Sequence, residues 1–124
     1  MSESIKNNQI IGLYEKVSLS GNKTTNKQII ARIDTGATRS SIDVKLAASL
    51  RLGPVLKTKM VKSAHGATLR PIVEGSVTIA GKKLKTQFTI ADRTKMKYKM
   101  LIGQDLLRQG KFLIDTCNAD NEID

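Results

Sequence analysis

Apolar residues recur at every second position through most of this chain, and the places where that rhythm breaks are as informative as the rhythm itself. Ile10, Ile11, Leu13, Val17 and Leu19 predict a first strand, and Ser20 to Asn26 is turn chemistry. Ile29, Ala31 and Ile33 then share one face of a second strand, with Ile30 pressing the other, so the opening reads as a hairpin whose second arm is largely buried. From Val55 to Ala91 the period of two returns. Val73, Gly75, Val77 and Ile79 alternate with Glu74, Ser76 and Thr78, and Leu84, Thr86, Phe88 and Ile90 repeat the pattern after a turn at Ala80-Gly81-Lys82. Two stretches break the strand pattern. Asp43 to Pro54 reads as a helix capped by Asp43, with Leu46 and Leu50 four apart and Gly53-Pro54 as its stop, and Gln104 to Gln109 reads as a shorter one ended at Gly110. Lys111 to Asp115 is a last strand. The fold class predicted is therefore all-β with one or two short helices. The domain spans 9–115, with a polar, mobile lead over 1–8 and a polar, loosely attached tail over 116–124.

The second strand delivers one carboxylate, Asp34, into a turn. Gly36 permits a sharp bend, Thr35 can lock it with its hydroxyl, and Ala37 leaves space beside the acid. An Asp-Thr-Gly triplet alone also fits an ordinary turn. A second apolar run, Met100-Leu101-Ile102, meets Gly103 just before a helix, and that combination with Asp34-Thr35-Gly36-Ala37 is much less common.

A strand into Asp-Thr-Gly-Ala, a long β region and then Leu-Ile-Gly before a helix resembles the retropepsins, the retroviral-type aspartic proteases. Ile11-Gly12, Arg70-Pro71-Ile72-Val73, Ala91-Asp92-Arg93, Met96 and Phe112-Leu113-Ile114-Asp115 extend the likeness to a prokaryotic retropepsin-like group often labelled an ATP-dependent zinc protease. The label fits these residues badly. The chain has one His and one Cys, whereas a catalytic zinc usually takes about three protein ligands, and no Walker-type phosphate loop is present. Neither cofactor nor metal is expected.

The resemblance implies a closed, barrel-like acid protease fold with one lobe per chain, in which the Leu-Ile-Gly strand threads beside the Asp loop. It implies Asp34 as catalytic acid and base, with Thr35 and Gly36 as its scaffold. Because the chain offers only one such motif, the second carboxylate must come from a second copy, which makes the expected enzyme a homodimer. Ala37 and the hairpin tip Ser63-Ala64-His65-Gly66-Ala67, in the position of a flap, are the expected substrate-binding residues. The only His is read as a substrate-touching or exposed residue, not as a ligand or base. Retropepsins commonly carry an Arg after the Gly of this helix start and an Asp after the catalytic turn. Gln104 and Thr38 stand there instead, and an Arg39–Asp105 pair is the substitute on offer.

Charge refines the choice of partner. Lys and Arg number 21 against 11 Asp and Glu, a net +10, which favours anionic partners, whether nucleic acid, an acidic polypeptide or a membrane surface, and the protease reading makes the expected partner a peptide or an unfolded or acidic protein substrate. Lys57, Lys59, Lys62, Lys82, Lys83, Lys85, Lys95, Lys97 and Lys99 read as solvated strand faces that also discourage edge aggregation. An aromatic content of 3% with no Trp argues against a nucleic-acid partner, because nothing is interleaved with the basic residues to stack bases. No apolar run approaches the roughly 20 residues of a membrane span, no signal-peptide core follows Met1, and the lone Cys117 fits a reducing compartment. A cytoplasmic location follows as the expectation. The leading reading is an aspartic endopeptidase. The rivals are a non-catalytic dimeric peptide- or protein-binding module on the same fold and a basic RNA- or ribosome-associated protein.

Overall fold

The computed structural model describes residues 8–21, 25–64 and 66–123. Among the described residues, nine strands and two short helices follow in the order β1 (Ile10–Ile11), β2 (Tyr14–Ser20), β3 (Asn26–Ile33), β4 (Ser41–Asp43), α1 (Val44–Ser49), β5 (Lys57–Ser63), β6 (Gly66–Ile79), β7 (Lys82–Ala91), β8 (Met100–Ile102), α2 (Gln104–Gln109) and β9 (Leu113–Ile114). Six strands run β2-β3-β8-β4-β7-β6, and the ring closes where Ser18–Ser20 pairs with Ser76–Thr78. Closure removes two free edges from the sheet. The expected all-β, barrel-like architecture is what the chain adopts.

The alternating pattern decides which side chains fill the barrel. Val17 and Leu19 of β2, Ala31 and Ile33 of β3, Val77 and Ile79 of β6, Phe88 of β7, and Met100 and Ile102 of β8 turn inward and are buried together. Leu46 and Ala47 of α1 and Leu106 and Leu107 of α2 cover the barrel. The β6–β7 turn is a two-residue one with Ala80 at φ 49° and Gly81 at φ 82°, the doubly positive geometry that matches strand twist.

Three local features differ from the sequence expectation. The predicted first strand is two elements, because Gly12 lies against Asn118; a Cβ at Gly12 would sit 2.6 Å from the Asn118 carbonyl oxygen. The first helix is six residues long and starts after its expected cap, Asp43. The segment after the Asp34 turn also contains a short buried strand, β4, that its polar composition concealed. Ser41, Ile42 and Asp43 of β4 are all buried between β7 and β8.

The polar tail is anchored where a loose one was expected. The Leu13 amide donates to the Asn118 carbonyl (2.8 Å), and the Ile123 amide donates to the Tyr98 hydroxyl (2.8 Å), whose ring stacks on Tyr14 at 4.9 Å. Of the predicted polar lead, all but Asn8 lies outside the described residues, as do loop residues Asn22, Lys23 and Thr24. No described helix is long and apolar enough to cross a membrane.

Candidate active site

β3 runs parallel to β8, Arg32 opposite Leu101 and Ile33 opposite Ile102, and the Asp34 amide extends the ladder by donating to the Ile102 carbonyl at 2.9 Å. The Leu-Ile-Gly strand therefore threads beside the Asp loop, as the sequence led one to expect. Asp34 then folds its own turn: Oδ1 accepts from the Gly36 amide (3.0 Å), and its carbonyl accepts from the Ala37 amide (3.2 Å). A Cβ on Gly36 would crowd that oxygen at 3.3 Å.

A second set of bonds fixes the loop to α2. The Gln104 amide donates to the Ala37 carbonyl (2.8 Å), the Asp105 amide to the Thr38 carbonyl (3.2 Å), and the Gln104 side chain to the Thr35 carbonyl (2.8 Å). Below them lies Ser40, wholly buried. Its amide donates to both Asp105 carboxylate oxygens (3.0 Å each), its hydroxyl donates to Asp105 Oδ1 (2.7 Å), and the same hydroxyl accepts from the Gly103 amide (2.9 Å). The expected Arg39–Asp105 pair is thus replaced by Ser40–Asp105. The half-buried Asp105 carboxylate is satisfied by an amide and a hydroxyl that face it, and Arg39 lines the cleft instead. Gly103 fits this crossing because a Cβ would stand 2.7 Å from the Ala37 carbonyl oxygen and 2.8 Å from that of Arg39.

Above the loop is a cleft of about 650 Å³, lined by Asp34, Gly36 and Ala37 on one side and by Lys59, Met60, Val61, Lys62 and Arg70 of the β5–β6 hairpin on the other. Ser41 and Thr89 form part of its wall. Asp34 is the only carboxylate among these lining residues and is half-buried, while Arg39, Lys59, Lys62 and Arg70 give the cleft a positive lining. Arg93 stands close by. Partial burial lowers its pKa from the ordinary arginine value, the positive charges of Arg32 and Arg70 lower it further, and Asp43 and Asp34 oppose the shift. A guanidinium stays charged despite this, so three arginines gather near one carboxylate.

Of the predicted site residues, Asp34, Gly36 and Ala37 meet in the cleft, and Thr35 holds the back of the loop through its carbonyl. Among the described tip residues, Ala64, Gly66 and Ala67 are exposed and do not line the cleft, and the shoulder residues Lys59 to Lys62 make the contact instead. Ser63 pairs with Gly66 through the backbone, and His65 lies outside the described residues. Sequence reasoning missed Arg32 and Arg70. The alternation in β3 could have found the first, since Arg32 is outward when Ala31 and Ile33 are inward. Among the described residues no three His, Cys, Asp or Glu side chains group as metal ligands.

Comparison with known proteins agrees with this geometry. Residues 43–122, almost two thirds of the chain, match the RimB-like family, described as "Retropepsin-like aspartic endopeptidase RimB". The matched segment starts just downstream of Asp34. No curated protein matches. Among solved structures, EIAV protease in complex with the inhibitor HBY-793 aligns at TM-score 0.67 with 16% identity, over 82% of this chain and 90% of that one. Lpg0085, a protein of unknown function from Legionella pneumophila subsp. pneumophila str. Philadelphia 1, aligns at TM-score 0.63 with 19% identity, over 90% and 95%. The Simian Foamy Virus (mac) protease aligns at TM-score 0.54 with 16% identity, over 77% and 91%. At such identities these structures speak for the fold, and the family match for descent: the chain belongs to the RimB-like family of retropepsin-like aspartic endopeptidases.

Proposed function

We propose that this protein is an aspartic endopeptidase whose active site forms between two copies of the chain, each contributing Asp34. The observation that carries the reading is that Asp34 is the only carboxylate among the described residues lining the cleft, held on a loop bonded to both β8 and α2. One carboxylate cannot act as base and acid at once. Two brought together cannot both ionise cheaply, so they share a proton and hold a water between them. The ionised member takes a proton from that water as it attacks the peptide carbonyl, and the protonated member donates a hydrogen bond to the developing oxyanion. Thr35 and Gly36 keep the carboxylate aimed, and the β5–β6 hairpin acts as the flap over the substrate backbone.

The lining of Arg39, Lys59, Lys62 and Arg70, with Arg32 and Arg93 nearby, supports an acidic or unfolded polypeptide as substrate. The test is cleavage of an acidic unfolded protein with and without chelator. Asp34→Asn, nearly isosteric, should abolish turnover while EDTA leaves the wild type unaffected. Turnover lost to EDTA and restored by zinc would overturn the aspartic reading, and wild-type protein that binds the polypeptide without cutting it would leave a binding module on the same fold.

A further inference from the structure

A second concave surface lies outside the barrel. It is a groove of about 710 Å³ between the outer face of the β2–β3 hairpin, α1 and the 92–99 loop, and its lining includes Lys16, Lys27, Lys45, Lys97, Ile30 and Leu46. Its walls are fixed by a buried hub. Asp43, 3% exposed, accepts from the Lys45 and Leu46 amides through Oδ2 (3.0 and 3.4 Å) and from the Arg93 amide through Oδ1 (2.7 Å). The Asp43 amide donates to the Lys99 carbonyl (2.8 Å), and Lys99 Nζ ties the loop together through the carbonyls of Arg93 (2.9 Å), Thr94 (2.7 Å) and Met96 (2.7 Å). Lys99 is therefore committed to the wall. Lys16, Lys27, Lys45 and Lys97 are exposed, and none of them takes part in a salt bridge among the described residues; Lys45 acts at longer range on the Asp92 carboxyl.

We propose that this groove is an exosite for an acidic segment of a polypeptide, continuous with the Asp34 cleft along the outer face of β3. Three observations favour that occupant. Four exposed lysines surround a floor that contains Ile30 and Leu46, which suits carboxylate side chains on aliphatic stems. A segment of this chain already reaches the rim, where Ile123 lines the groove and donates its amide to the Tyr98 hydroxyl, with the acidic Glu122 next to it in sequence. Gln28, Ile30 and Arg32 stand outward along β3 in a row that leads to Asp34, so Ile30 lies about 13 Å from the carboxylate at roughly 3.3 Å per residue, a span a few extended residues cover. The proposal rests on the protease reading only in making the bound segment part of the substrate. A nucleic acid would also answer to positive charge, but no aromatic side chain lines the groove to stack a base.

Binding is measured by fluorescence anisotropy on full-length Asp34→Asn protein, with a labelled Glu/Asp peptide long enough to span the groove and Arg32, and with a single-stranded RNA of equal charge. Lys27→Glu with Lys45→Glu should weaken the peptide about tenfold, on the order of two to four exposed ion pairs. Lys83→Glu with Lys85→Glu on β7, which alters net charge equally away from both cavities described, should weaken it by less than about twofold. Because Lys45 lies in the first turn of α1, Lys16→Glu with Lys27→Glu serves as a second groove variant that leaves the helix untouched. In the Asp34 background of the wild type, the groove variants should raise KM for a substrate bearing the acidic segment and leave kcat alone. Equal losses in groove and control variants, or RNA that depends on the groove when the peptide does not, would overturn the exosite. Wild-type protein that cleaves nothing would sink the protease reading while the anisotropy result still stood.

Discussion

The two sides of the Asp34 cleft are built on opposite terms. The floor is overdetermined: Asp34, Ala37, Thr38 and Ser40 are each bonded to β8 or α2, and Ser40 is completely buried. The overhanging hairpin has a single partner on each arm over its outer half. β5 pairs only with β6, and Gly66 to Leu69 are exposed, as is Met60, which sits opposite Leu69 with 51% and 62% of the two side chains open. Atoms that carry out proton transfer must be held to fractions of an ångström, whereas an element that admits an extended chain has to open and close. The difference places a densely bonded loop under the carboxylate and a sparsely packed hairpin above it.

The comparison breaks first at Gly103. Gly103→Ala would force a methyl against the Ala37 and Arg39 carbonyls, backbone groups that cannot swing aside, and should cost about 3 kcal/mol, lowering the thermal midpoint by about 10 °C. A midpoint within a degree or two of wild type would show that the floor is not tightly packed. Asp105→Ala comes next. It strands the buried Ser40 amide and hydroxyl, with an expected loss of about 2 kcal/mol by denaturant titration, and activity should fall further than stability because the Asp34 loop loses its support. The smallest effect belongs to the hairpin: Met60→Ser and Leu69→Ser should each change stability by less than about 0.5 kcal/mol, since both side chains are already open to water. A large loss there would mean that the hairpin is packed in the working assembly.

The same division governs what was legible in the sequence. The β3 strand into Asp34, the Leu-Ile-Gly strand and the β6–β7 hairpin follow from apolar alternation, because each is set by neighbours a few residues away. Strand β4 was invisible. Ser40 and Ser41 look like loop residues and Asp43 like a helix cap alone, and Asp105, the Gly103 amide, Thr89 of β7 and the 92–99 loop, all distant along the chain, make their burial possible. The tail was misread for a related reason: its anchors join groups far apart along the chain, the Leu13 amide to the Asn118 carbonyl, the Asn121 side chain to the Tyr14 carbonyl and the Ile123 amide to the Tyr98 hydroxyl. Asp34 could be singled out early, but the positive lining around it comes from Arg39 in the following loop, Lys59 and Lys62 on β5 and Arg70 on β6, three parts of the chain that only the folded structure brings together.

The central claim is that one chain supplies half of an active site, and subunit mixing tests it most directly. Wild type is held at fixed concentration while Asp34→Asn chains are added in increasing excess, with cleavage of an acidic unfolded protein as the readout and size-exclusion chromatography reporting the dimer. A mixed dimer holds one carboxylate and one amide and cannot share a proton, so activity should fall toward zero as mixed dimers replace wild-type ones. Activity that stays proportional to wild-type chain, however much Asp34→Asn protein is present in the dimer, would contradict a shared site.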